Sequence, residues 1–532
     1  MTARRSIWGW GLETDEPTEE QRQETAARLS QRWGTEIVPP PLPKVERINL
    51  RASRVSPPAA LQAFTTIEAH DRASHAYGKS YRDGIRAFHG VFPNPPDAVA
   101  YPRTEAEVVA ALEWCDSAGI IAIPYGGGSS VVGGVEPPEG SGPAVSIDLR
   151  DLDRVLEVDA TSRAARIQAG VLGPALEDQL RPHGFTLRHY PQSFEWSSLG
   201  GWIATRSGGH YATNHTHIDD FVESVRMVTP KGVWESRRLP GSGAGVSPDR
   251  MALGSAGILG IITEAWMRIQ ARPRYRASAG VTFSSWEAGY NACRAVVQAK
   301  LWPANCRLLD PTEAGAAAGL QGDEALLIIA FESSDLPQES PIAEAIKIAR
   351  EAGGRIDDAG IKISDGSDEE VGRQGAVGAW RNSFVRGPYQ RNLTAGMGVI
   401  GDTFETSITW DRWPDFDANI RAAMTSALQR VCGGGTLSCR FTHVYTDGPA
   451  PYYSFSGMGK QGGEIEMWTE LKQAASDAVI AGGGTITHHH AVGRDHMSWY
   501  RQQRPQLFHD ALKAAKSAVD PNGILNPGIL LD

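Results

Sequence analysis

The chain has 532 residues, 41% of them hydrophobic and 21% charged, and carries a formal net charge of −10. This length allows roughly two to four domains with cores of their own, and the acidic balance without a run of basic residues argues against a nucleic-acid partner. The five cysteines are scattered and form no Cys-x-x-Cys pair, which argues against a disulfide framework or a zinc site and favours a reducing, cytoplasmic location.

Residues 1–92 are predicted to form an N-terminal helical arm. Residues 1–10 include two arginines but no long apolar core, so we expect no secretory signal. Residues 18–33 are acidic with a helical pattern, and the proline-rich residues 39–43 are expected to form a connector.

Residues 104–130 predict a helix, a strand and a glycine loop in succession. Thr104 and Glu107 form a capping-box pattern, and Gly119 is placed to end the helix. The apolar residues 120–123 predict a strand that leads into residues 124–130, Pro-Tyr-Gly-Gly-Gly-Ser-Ser. Three consecutive glycines allow a tight turn and leave peptide N–H groups free to face an anion, so the loop predicts a phosphate-bearing cofactor. It lacks the lysine of a Walker loop, and the sequence after it is a poor helix start for a Rossmann fingerprint.

The rest of the chain predicts an α+β fold with a second domain. Strands are predicted at residues 144–149 and 163–168, a helix at 173–180, and further glycine clusters lie at 197–209 and 254–263. From residue 272, longer helical patterns at 342–352, 414–431 and 464–481 alternate with apolar strands such as 325–331. No apolar run approaches the ~18 residues that a membrane-spanning helix needs.

The three glycine clusters, together with the Asp-Pro-Asn-Gly-Ile-Leu-Asn-Pro-Gly ending at residues 520–528, resemble the vanillyl-alcohol-oxidase, or PCMH-type, flavoproteins. The resemblance implies an α+β fold with a PCMH-type FAD-binding domain of two subdomains at residues 93–272. It also implies an α/β cap domain with an antiparallel sheet at 273–500 and a C-terminal segment, 501–532, that returns to the FAD domain.

Within that superfamily the chain resembles the alkylglycerone-phosphate synthase family over nearly its whole length. The matching residues are Trp8-Gly-Trp-Gly11, Gly200-Gly-Trp-Ile-Ala-Thr-Arg206, Met227-Val-Thr-Pro-Lys-Gly232, Arg307-Leu-Leu-Asp310, Phe404-Glu-Thr-Ser407, Trp410-Asp-Arg412, Ser438-Cys-Arg440 and His488-His-His-Ala-Val-Gly493. The chain departs from the family pattern at Ala491, where a glycine is expected, at Arg494, where a lysine is expected, and at Ser454, which replaces an aromatic residue. The linker between Leu320 and Ala325 is also shorter than in the family.

The resemblance implies a redox-neutral enzyme that exchanges the acyl group of acyl-glycerone phosphate for a fatty alcohol and so forms an ether-lipid precursor. It also implies a phosphorylated lipid substrate, a homodimer and peripheral membrane contact. An FAD-linked oxidase or dehydrogenase of a small hydroxy acid or alcohol, built on the same scaffold, remains the alternative.

By the same resemblance, residues of the three glycine clusters and their flanks bind FAD. They are Pro124, Tyr125, Gly126, Gly127, Gly128, Ser129, Ser130, Gln192, Ser193, Ser197, Ser198, Gly201, Thr205, Arg206, Ser207, Gly208, Ala256, Gly257, Leu259, Gly260 and Ile262. Some relatives tether FAD through a histidine in the first cluster. The matching residue here is Ser129, which cannot form that bond, so we expect non-covalent FAD.

His488, His489 and His490 are assigned by the resemblance to the active site, where they bind the substrate phosphate or move protons near the flavin. If the run is extended, His488 and His490 point one way and His489 the other. A metal site is the alternative, since histidine is the commonest metal ligand. The run offers at most two ligands on one side and no carboxylate stands at a metal-binding spacing, so we expect no metal.

Tyr452 falls on the family's catalytic tyrosine, the acid/base at the substrate carbon next to a ketone. A phenol has an ordinary pKa of about 10 and needs a nearby cation or desolvation to change it. The neighbouring Tyr453 is the other candidate for this role, and an aromatic pair in a buried strand is the structural alternative.

Arg391 and Arg307 match family arginines tied to activity, and a guanidinium suits a phosphorylated substrate because it binds phosphate through two hydrogen bonds. The alternative for each is a surface or ion-paired arginine. For Arg307, Asp310 is close enough in sequence to be that partner.

Overall fold

The computed structural model describes residues 4–215, 217–356, 360–364, 366 and 386–532. The α-helices include α1 (Glu19–Trp33), α2 (Ala69–Ser74), α3 (Tyr81–Phe88), α4 (Glu105–Ala118), α5 (Gly173–Leu180), α6 (Leu199–Thr205), α7 (Ala212–His215), α8 (Pro248–Ala252), α9 (Trp286–Gln298), α10 (Pro311–Ala318), α11 (Glu339–Glu351), α12 (Trp413–Cys432), α13 (Glu464–Ala481), α14 (Met497–Gln503) and α15 (Gln506–Val519). Within the described residues, no helix is long and apolar enough to cross a bilayer.

The β-strands build three main sheets. They are β1 (Thr65–Thr66), β2 (Ala98–Ala100), β3 (Ile121–Tyr125), β4 (Ala144–Asp148), β5 (Val155–Asp159), β6 (Ala164–Gln168), β7 (Phe185–Thr186), β8 (Val222–Thr229), β9 (Gly232–Glu235), β10 (Ile261–Arg268), β11 (Gln270–Ala271), β12 (Tyr275–Phe283), β13 (Asn305–Leu309), β14 (Ala325–Ser333), β15 (Lys362–Ser364), β16 (Val399–Glu405), β17 (Thr436–Val444) and β18 (Pro449–Met458).

The helix and strand that precede the glycine loop form as their sequence predicts, with one difference at the cap. The Thr104 hydroxyl accepts the N–H of Glu107 at 3.2 Å, and Gly119 ends α4 in the left-handed region at φ +62°. The Glu107 carboxylate instead accepts the N–H of Arg103 at 2.6 Å. Only half of the predicted capping box therefore forms, because the carboxylate reaches the residue before the cap.

The first two sheets share one hydrophobic core. The first sheet has the strand order β1-β2-β4-β3, with β4 parallel to both β2 and β3, and the second has the antiparallel order β5-β6-β10-β8-β9. Buried side chains from both sheets, such as Ile147 and Ile167, belong to the same cluster. The C-terminal segment joins this core, because Leu525 bridges to Ala122 and Ile529 packs in the cluster.

The third sheet, here called the cap sheet, is antiparallel and has the order β15-β12-β14-β13-β17-β18-β16. Helices α9, α11, α12 and α13 cover one of its faces through a second core that includes Phe283, Leu308 and Trp413. The short helix α10 packs on the opposite face against Leu309 and Ile328. The predicted α+β class with an antiparallel cap sheet is confirmed, and part of the second face is left for the site.

Candidate active site

A cavity of about 460 Å³ lies between the loops of the first two sheets and the open face of the cap sheet. Nineteen of the twenty-one residues predicted to bind FAD line it, although they come from three separate stretches of chain. The lining members are Pro124, Tyr125, Gly126, Gly127, Gly128, Ser129, Ser130, Gln192, Ser193, Ser197, Ser198, Gly201, Thr205, Ser207, Gly208, Ala256, Gly257, Gly260 and Ile262.

The other two predicted residues, Arg206 and Leu259, do not line the cavity. The side chain of Arg206 is 59% exposed and pairs with Asp219 at 2.7 Å. Leu259 is fully buried in the core shared by the first two sheets. The family resemblance suggested both, and because their side chains point to solvent and to the core, their role in FAD binding stays a prediction.

The glycines let the three clusters pack on one another. A Cβ added to Gly127 would stand 1.9 Å from the Trp196 carbonyl oxygen, and one added to Gly126 would stand 2.2 Å from the Ser198 hydroxyl. Gly257, at φ +77°, lies against the Pro124 ring in the same way. The glycine loop therefore reaches the second and third clusters only because it lacks side chains at these contacts.

The glycine loop also presents a row of unused peptide donors to the cavity. Within the described part of the chain, no acceptor receives the N–H of any residue from 126 to 131. Consecutive peptide N–H groups without acceptors are suited to an anion such as a pyrophosphate. The residues present thus fit the phosphate portion of FAD.

Strand alternation decides which side chains of the cap sheet face the cavity. Along β18, Tyr452 and Ser454 line the cavity, whereas Tyr453 and Phe455 belong to the core under the helices. The Tyr453 hydroxyl donates to Asp417 at 2.7 Å within that core. Of the two candidate tyrosines, the structure therefore places only Tyr452 in the cavity.

Tyr452 has fixed partners on the neighbouring strands. Its hydroxyl donates to the Thr403 hydroxyl at 3.0 Å, and the Arg440 guanidinium lies 4.3 Å from the centre of its ring. Burial raises the pKa of Tyr452, and the positive charge of Arg440 opposes that rise in part. The phenol is therefore protonated at neutral pH, and Arg440 is the nearby cation that favours its ionised form when it acts as an acid/base.

The three histidines wrap around a buried carboxylate and do not form an extended run. Glu405 accepts the peptide N–H of His488 at 2.5 Å and of His490 at 3.0 Å, and His489 N–H lies 3.2 Å from the same group. The Thr487 hydroxyl donates to it at 2.6 Å. Burial by itself raises the pKa of Glu405, but the positive charge that His489, His490 and His488 carry in acid and the hydrogen bond from Thr487 hold that pKa below its usual range.

His489 and His490 line the cavity beside Tyr452, and His488 lies behind them. Burial lowers the pKa of His489 to about 3 and of His490 to about 4, and it lowers that of His488 well below its ordinary value. The nearby charge of Glu405 opposes these shifts. All three rings are therefore neutral at pH 7, when each can both donate and accept a hydrogen bond.

His443 joins this group from β17, where a register shift between Phe441 and His443 brings both Thr442 and His443 to the cavity. Ring nitrogens of His443, His488 and His489 lie within 4.8 Å of one another. The His443 Nε2 group is already within 3.2 Å of the Gly209 carbonyl, and His488 Nε2 lies 2.8 Å from the Tyr445 hydroxyl. The absence of a resident metal stays a prediction.

We expect the folded protein to lose stability as the pH falls from 7 to 5. His489 and His490 have folded-state pKa values below the ordinary histidine value of about 6.5, so the unfolded chain binds protons first. Each histidine then removes about 1.4 kcal/mol of unfolding free energy per pH unit below that value. Glu405, whose pKa is also lowered, adds its loss only below about pH 4.5.

Urea unfolding followed by tryptophan fluorescence measures this dependence, and His490→Asn serves as the matched variant. The variant should show a shallower decline because one buried neutral histidine is gone. An unfolding free energy that stays constant between pH 7 and pH 5 would contradict the burial of neutral histidines.

The two predicted substrate arginines line the cavity in different surroundings. Arg391 pairs with Asp402 at 2.6 Å, and Asp402 is also bound by the Trp468 indole at 2.7 Å. Arg307 is buried, and burial together with repulsion from Arg440 lowers its pKa to about 9. The ion pair with Asp310, which was the alternative for Arg307, does not form, because Asp310 caps α10 and pairs with Arg421 at 3.0 Å.

Sequence reasoning gave no role to several residues that build the site. Arg440, His443 and Glu405 belong to or follow motifs that carry the family resemblance, but their places depend on the register between strands.

Trp10 also lines the cavity, and its peptide exchanges two hydrogen bonds of 3.0 Å with the Asn392 side chain. The Arg5 guanidinium donates to the Gly127 carbonyl. The N-terminal arm thus touches both the glycine loop and the wall that carries Arg391.

Two family models match the chain in succession. The model described as an FAD binding domain matches residues 96–236, and the model described as the C-terminal domain of FAD linked oxidases matches residues 272–530. The first match includes the glycine loop and the second includes the whole cap sheet. Both parts of the chain that line the cavity therefore belong to FAD-linked families, and the cofactor of this protein is FAD.

Similar proteins over most of the chain are alkyldihydroxyacetonephosphate synthases. The one from Caenorhabditis elegans is 32% identical, with 87% of this chain and 81% of the relative covered. The one from Trypanosoma brucei brucei is 29% identical, with 92% and 84% covered. A solved structure of an alkyldihydroxyacetonephosphate synthase superposes with a TM-score of 0.77 at 26% identity, over 94% of this chain and 91% of that chain.

Proposed function

The chain belongs to the alkyldihydroxyacetonephosphate synthase family, and from that premise we propose that it exchanges the acyl group of acyl-glycerone phosphate for a fatty alcohol. The product is an ether-lipid precursor. The enzyme is an FAD-dependent alkyl transferase, and the exchange leaves the overall oxidation state unchanged.

The observation that carries this proposal is the composition of the cavity. One wall is the glycine loop with its unused peptide donors, and the other is the open face of the cap sheet with Tyr452, His489 and His490. Arg307, Arg391 and Arg440 line the same space, and their guanidinium groups suit a phosphorylated substrate although Arg391 also pairs with Asp402 and Arg440 with Glu313. A cofactor phosphate site and a substrate phosphate site therefore lie on opposite sides of one cavity.

The residues that line the cavity have separate roles in this reaction. The arginines bind and orient the substrate phosphate, which brings the ketone-bearing carbon to Tyr452. Tyr452 exchanges the proton on the adjacent carbon, with its hydroxyl directed by Thr403. When bound, FAD supplies the redox-active ring beside which one oxygen substituent leaves and the other enters. His489 and His490 present neutral rings to the reacting groups.

FAD is proposed to be non-covalent, because Ser129 lines the cavity where some relatives carry the tethering histidine. Acid precipitation should release the yellow colour into the supernatant. A flavin that stays with the precipitate would contradict this assignment.

The family resemblance and the lipid nature of the substrate support two proposals about assembly: a homodimer and peripheral contact with a membrane. The free state of all five cysteines is consistent with the reducing cytoplasmic location proposed from the sequence. Light scattering of the purified protein tests the dimer, and flotation with phospholipid vesicles tests the membrane contact.

The function is tested by mixing the holoenzyme with palmitoyl-glycerone phosphate and labelled hexadecanol. We expect label in the ether product and no hydrogen peroxide. The control is anaerobic mixing with small 2-hydroxy acids, in which the flavin should stay oxidised. Bleaching by a hydroxy acid together with no ether product would instead favour the FAD-linked oxidoreductase.

Replacing Arg391 with glutamine is expected to raise the KM for acyl-glycerone phosphate by about 10- to 100-fold, since a charged hydrogen bond contributes about 1.5–3 kcal/mol. Bound FAD should be unchanged. Asp402 keeps the Trp468 indole and the Lys472 ammonium at 3.6 Å, so the change leaves no unpaired buried charge. Steady-state kinetics on the holoenzyme measures the effect.

The matched control is Arg294→Gln, which removes an exposed guanidinium from α9 on the covered side of the cap sheet. This control should leave KM unchanged. An Arg391→Gln enzyme with the wild-type KM would remove Arg391 from the phosphate site.

A further inference from the structure

A series of hydrogen-bonded side chains leads from the cavity wall to a partly exposed histidine on another part of the chain. His489 Nδ1 lies 3.1 Å from His488 Nδ1, and His488 Nε2 lies 3.1 Å from His217 Nε2. The Tyr445 hydroxyl lies 2.8 Å from His488 Nε2 and 2.9 Å from His217 Nε2. His217 Nδ1 lies 3.0 Å from the Arg206 carbonyl, and the residue is partly exposed.

The partners of His217 decide where its proton sits. The Arg206 carbonyl only accepts, so Nδ1 of His217 carries hydrogen and Nε2 of the neutral ring accepts. His488 Nε2–H can then donate to His217 Nε2, which leaves His488 Nδ1 to accept from His489 Nδ1–H. In this arrangement each contact between the three rings is a hydrogen bond, and the Tyr445 hydroxyl can accept from His488 Nε2–H or donate to His217 Nε2. The ring lone pair that remains is on His489 Nε2.

We propose that His489, His488 and His217, with Tyr445, form a proton relay that carries the proton of the incoming alcohol from the cavity to solvent. The proposal rests on the proposed function. In that reaction the bond between the acyl oxygen and the substrate carbon breaks with its electron pair on the departing carboxylate. A carbon–oxygen bond to the alcohol forms, and one proton is released with no net oxidation.

Neutral imidazole is suited to this transfer because it accepts a proton at one nitrogen and gives one up at the other. His489 takes a proton at Nε2 and passes the Nδ1 proton to His488, which passes its Nε2 proton to His217. The carboxylate of Glu405 lies 3.6 Å from His489 Nδ1 and lowers the cost of a transient positive charge there. His217 then carries hydrogen on both nitrogens and gives one proton to solvent, since it is the partly exposed member of the series.

The test is His217→Ala with small bases in the assay. In weak buffer we expect the labelled-alcohol rate to fall by at least about tenfold, since positioned proton transfer contributes about 10²–10⁴-fold. Added imidazole should restore most of the rate, and a series of substituted imidazoles should do so in the order of their pKa values. The flavin spectrum should match that of the wild type.

His183→Ala is the matched control, because it removes an exposed histidine that lies in the short turn after α5. It should show neither the loss nor the dependence on imidazole. Tyr445→Phe is the second variant, since it keeps the aromatic ring and removes only the hydroxyl shared by His217 and His488. We expect a smaller loss and a changed solvent isotope effect on kcat.

Two results would overturn the relay: full activity of His217→Ala in weak buffer, or a loss that no added base restores. The second result would make His217 a structural residue only. Failure of the proposed function has a different signature, because the wild-type enzyme itself would then incorporate no labelled alcohol.

Discussion

Replacing Tyr452 with phenylalanine is expected to abolish turnover while FAD stays bound. Tyr452 is 6% exposed, lines the cavity and donates its hydroxyl hydrogen to Thr403. Phenylalanine preserves the ring that contacts Arg440 and removes only the hydroxyl that exchanges the substrate proton. Loss of a positioned acid/base costs about 10²–10⁴-fold in rate. Labelled-alcohol incorporation measures the rate, and the absorption spectrum reports the flavin.

Tyr453→Phe is the matched control, because it makes the same chemical change at the adjacent residue on the opposite face of β18. Its hydroxyl donates to Asp417 inside the core, so its loss should lower the free energy of unfolding by about 1–3 kcal/mol. Turnover should stay close to that of the wild type. A Tyr452→Phe enzyme with full activity, or an inactive but fully folded Tyr453→Phe enzyme, would move the acid/base role away from Tyr452.

This pair of tyrosines shows where sequence reasoning was sufficient and where it was not. Adjacent residues of β18 point to opposite faces of the sheet. The sequence of this strand alone is compatible with either tyrosine facing the cavity. The structure decides between them because Phe404 stacks on Tyr453 and Arg440 stacks on Tyr452 from the neighbouring strands. Which tyrosine faces the cavity is therefore set by the register between strands that are distant in sequence.

The conformation of the three histidines also depends on a contact that is distant in sequence. Their presence in one run predicted a shared role, and an extended segment was one conformation that the run could take. Glu405 overrides it, because a buried carboxylate needs several donors and takes the peptide N–H groups of the run. The Phe404-Glu-Thr-Ser407 motif was visible in the sequence, but its partner lies more than eighty residues away.

The cofactor loop was the part most open to prediction, since glycine requirements are local. Three glycine clusters indicated close backbone approach and an anion, and nineteen of the residues assigned to FAD do line one cavity. What spacing did not show is that the glycines are needed for contact between the clusters themselves, as Gly127 is against Trp196. A side chain placed at Gly127 would therefore act through steric contact as well as through its charge.

Gly127→Asp is expected to strip the flavin from the protein and so remove all activity. The added carboxylate places negative charge beside the peptide donors that suit the pyrophosphate. The larger effect is steric, because a Cβ at this position would stand 1.9 Å from the Trp196 carbonyl oxygen and 2.7 Å from the Ser197 Cα. Both contacts are with backbone, which cannot move aside as a side chain does. The loop would therefore leave the second glycine cluster, and purification should yield colourless protein.

Gly127→Ala separates the two causes, since it adds the Cβ without the charge. If the contact with Trp196 dominates, the alanine variant also loses its flavin, whereas a yellow alanine variant beside a colourless aspartate variant assigns the loss to charge. Gly142→Asp is the matched control, because an added Cβ there meets nothing within 4 Å and the residue is exposed. It should keep the wild-type ratio of flavin to protein absorbance. A fully yellow Gly127→Asp protein would remove the FAD pyrophosphate from this loop, and with it the basis for placing the reacting groups between the loop and Tyr452.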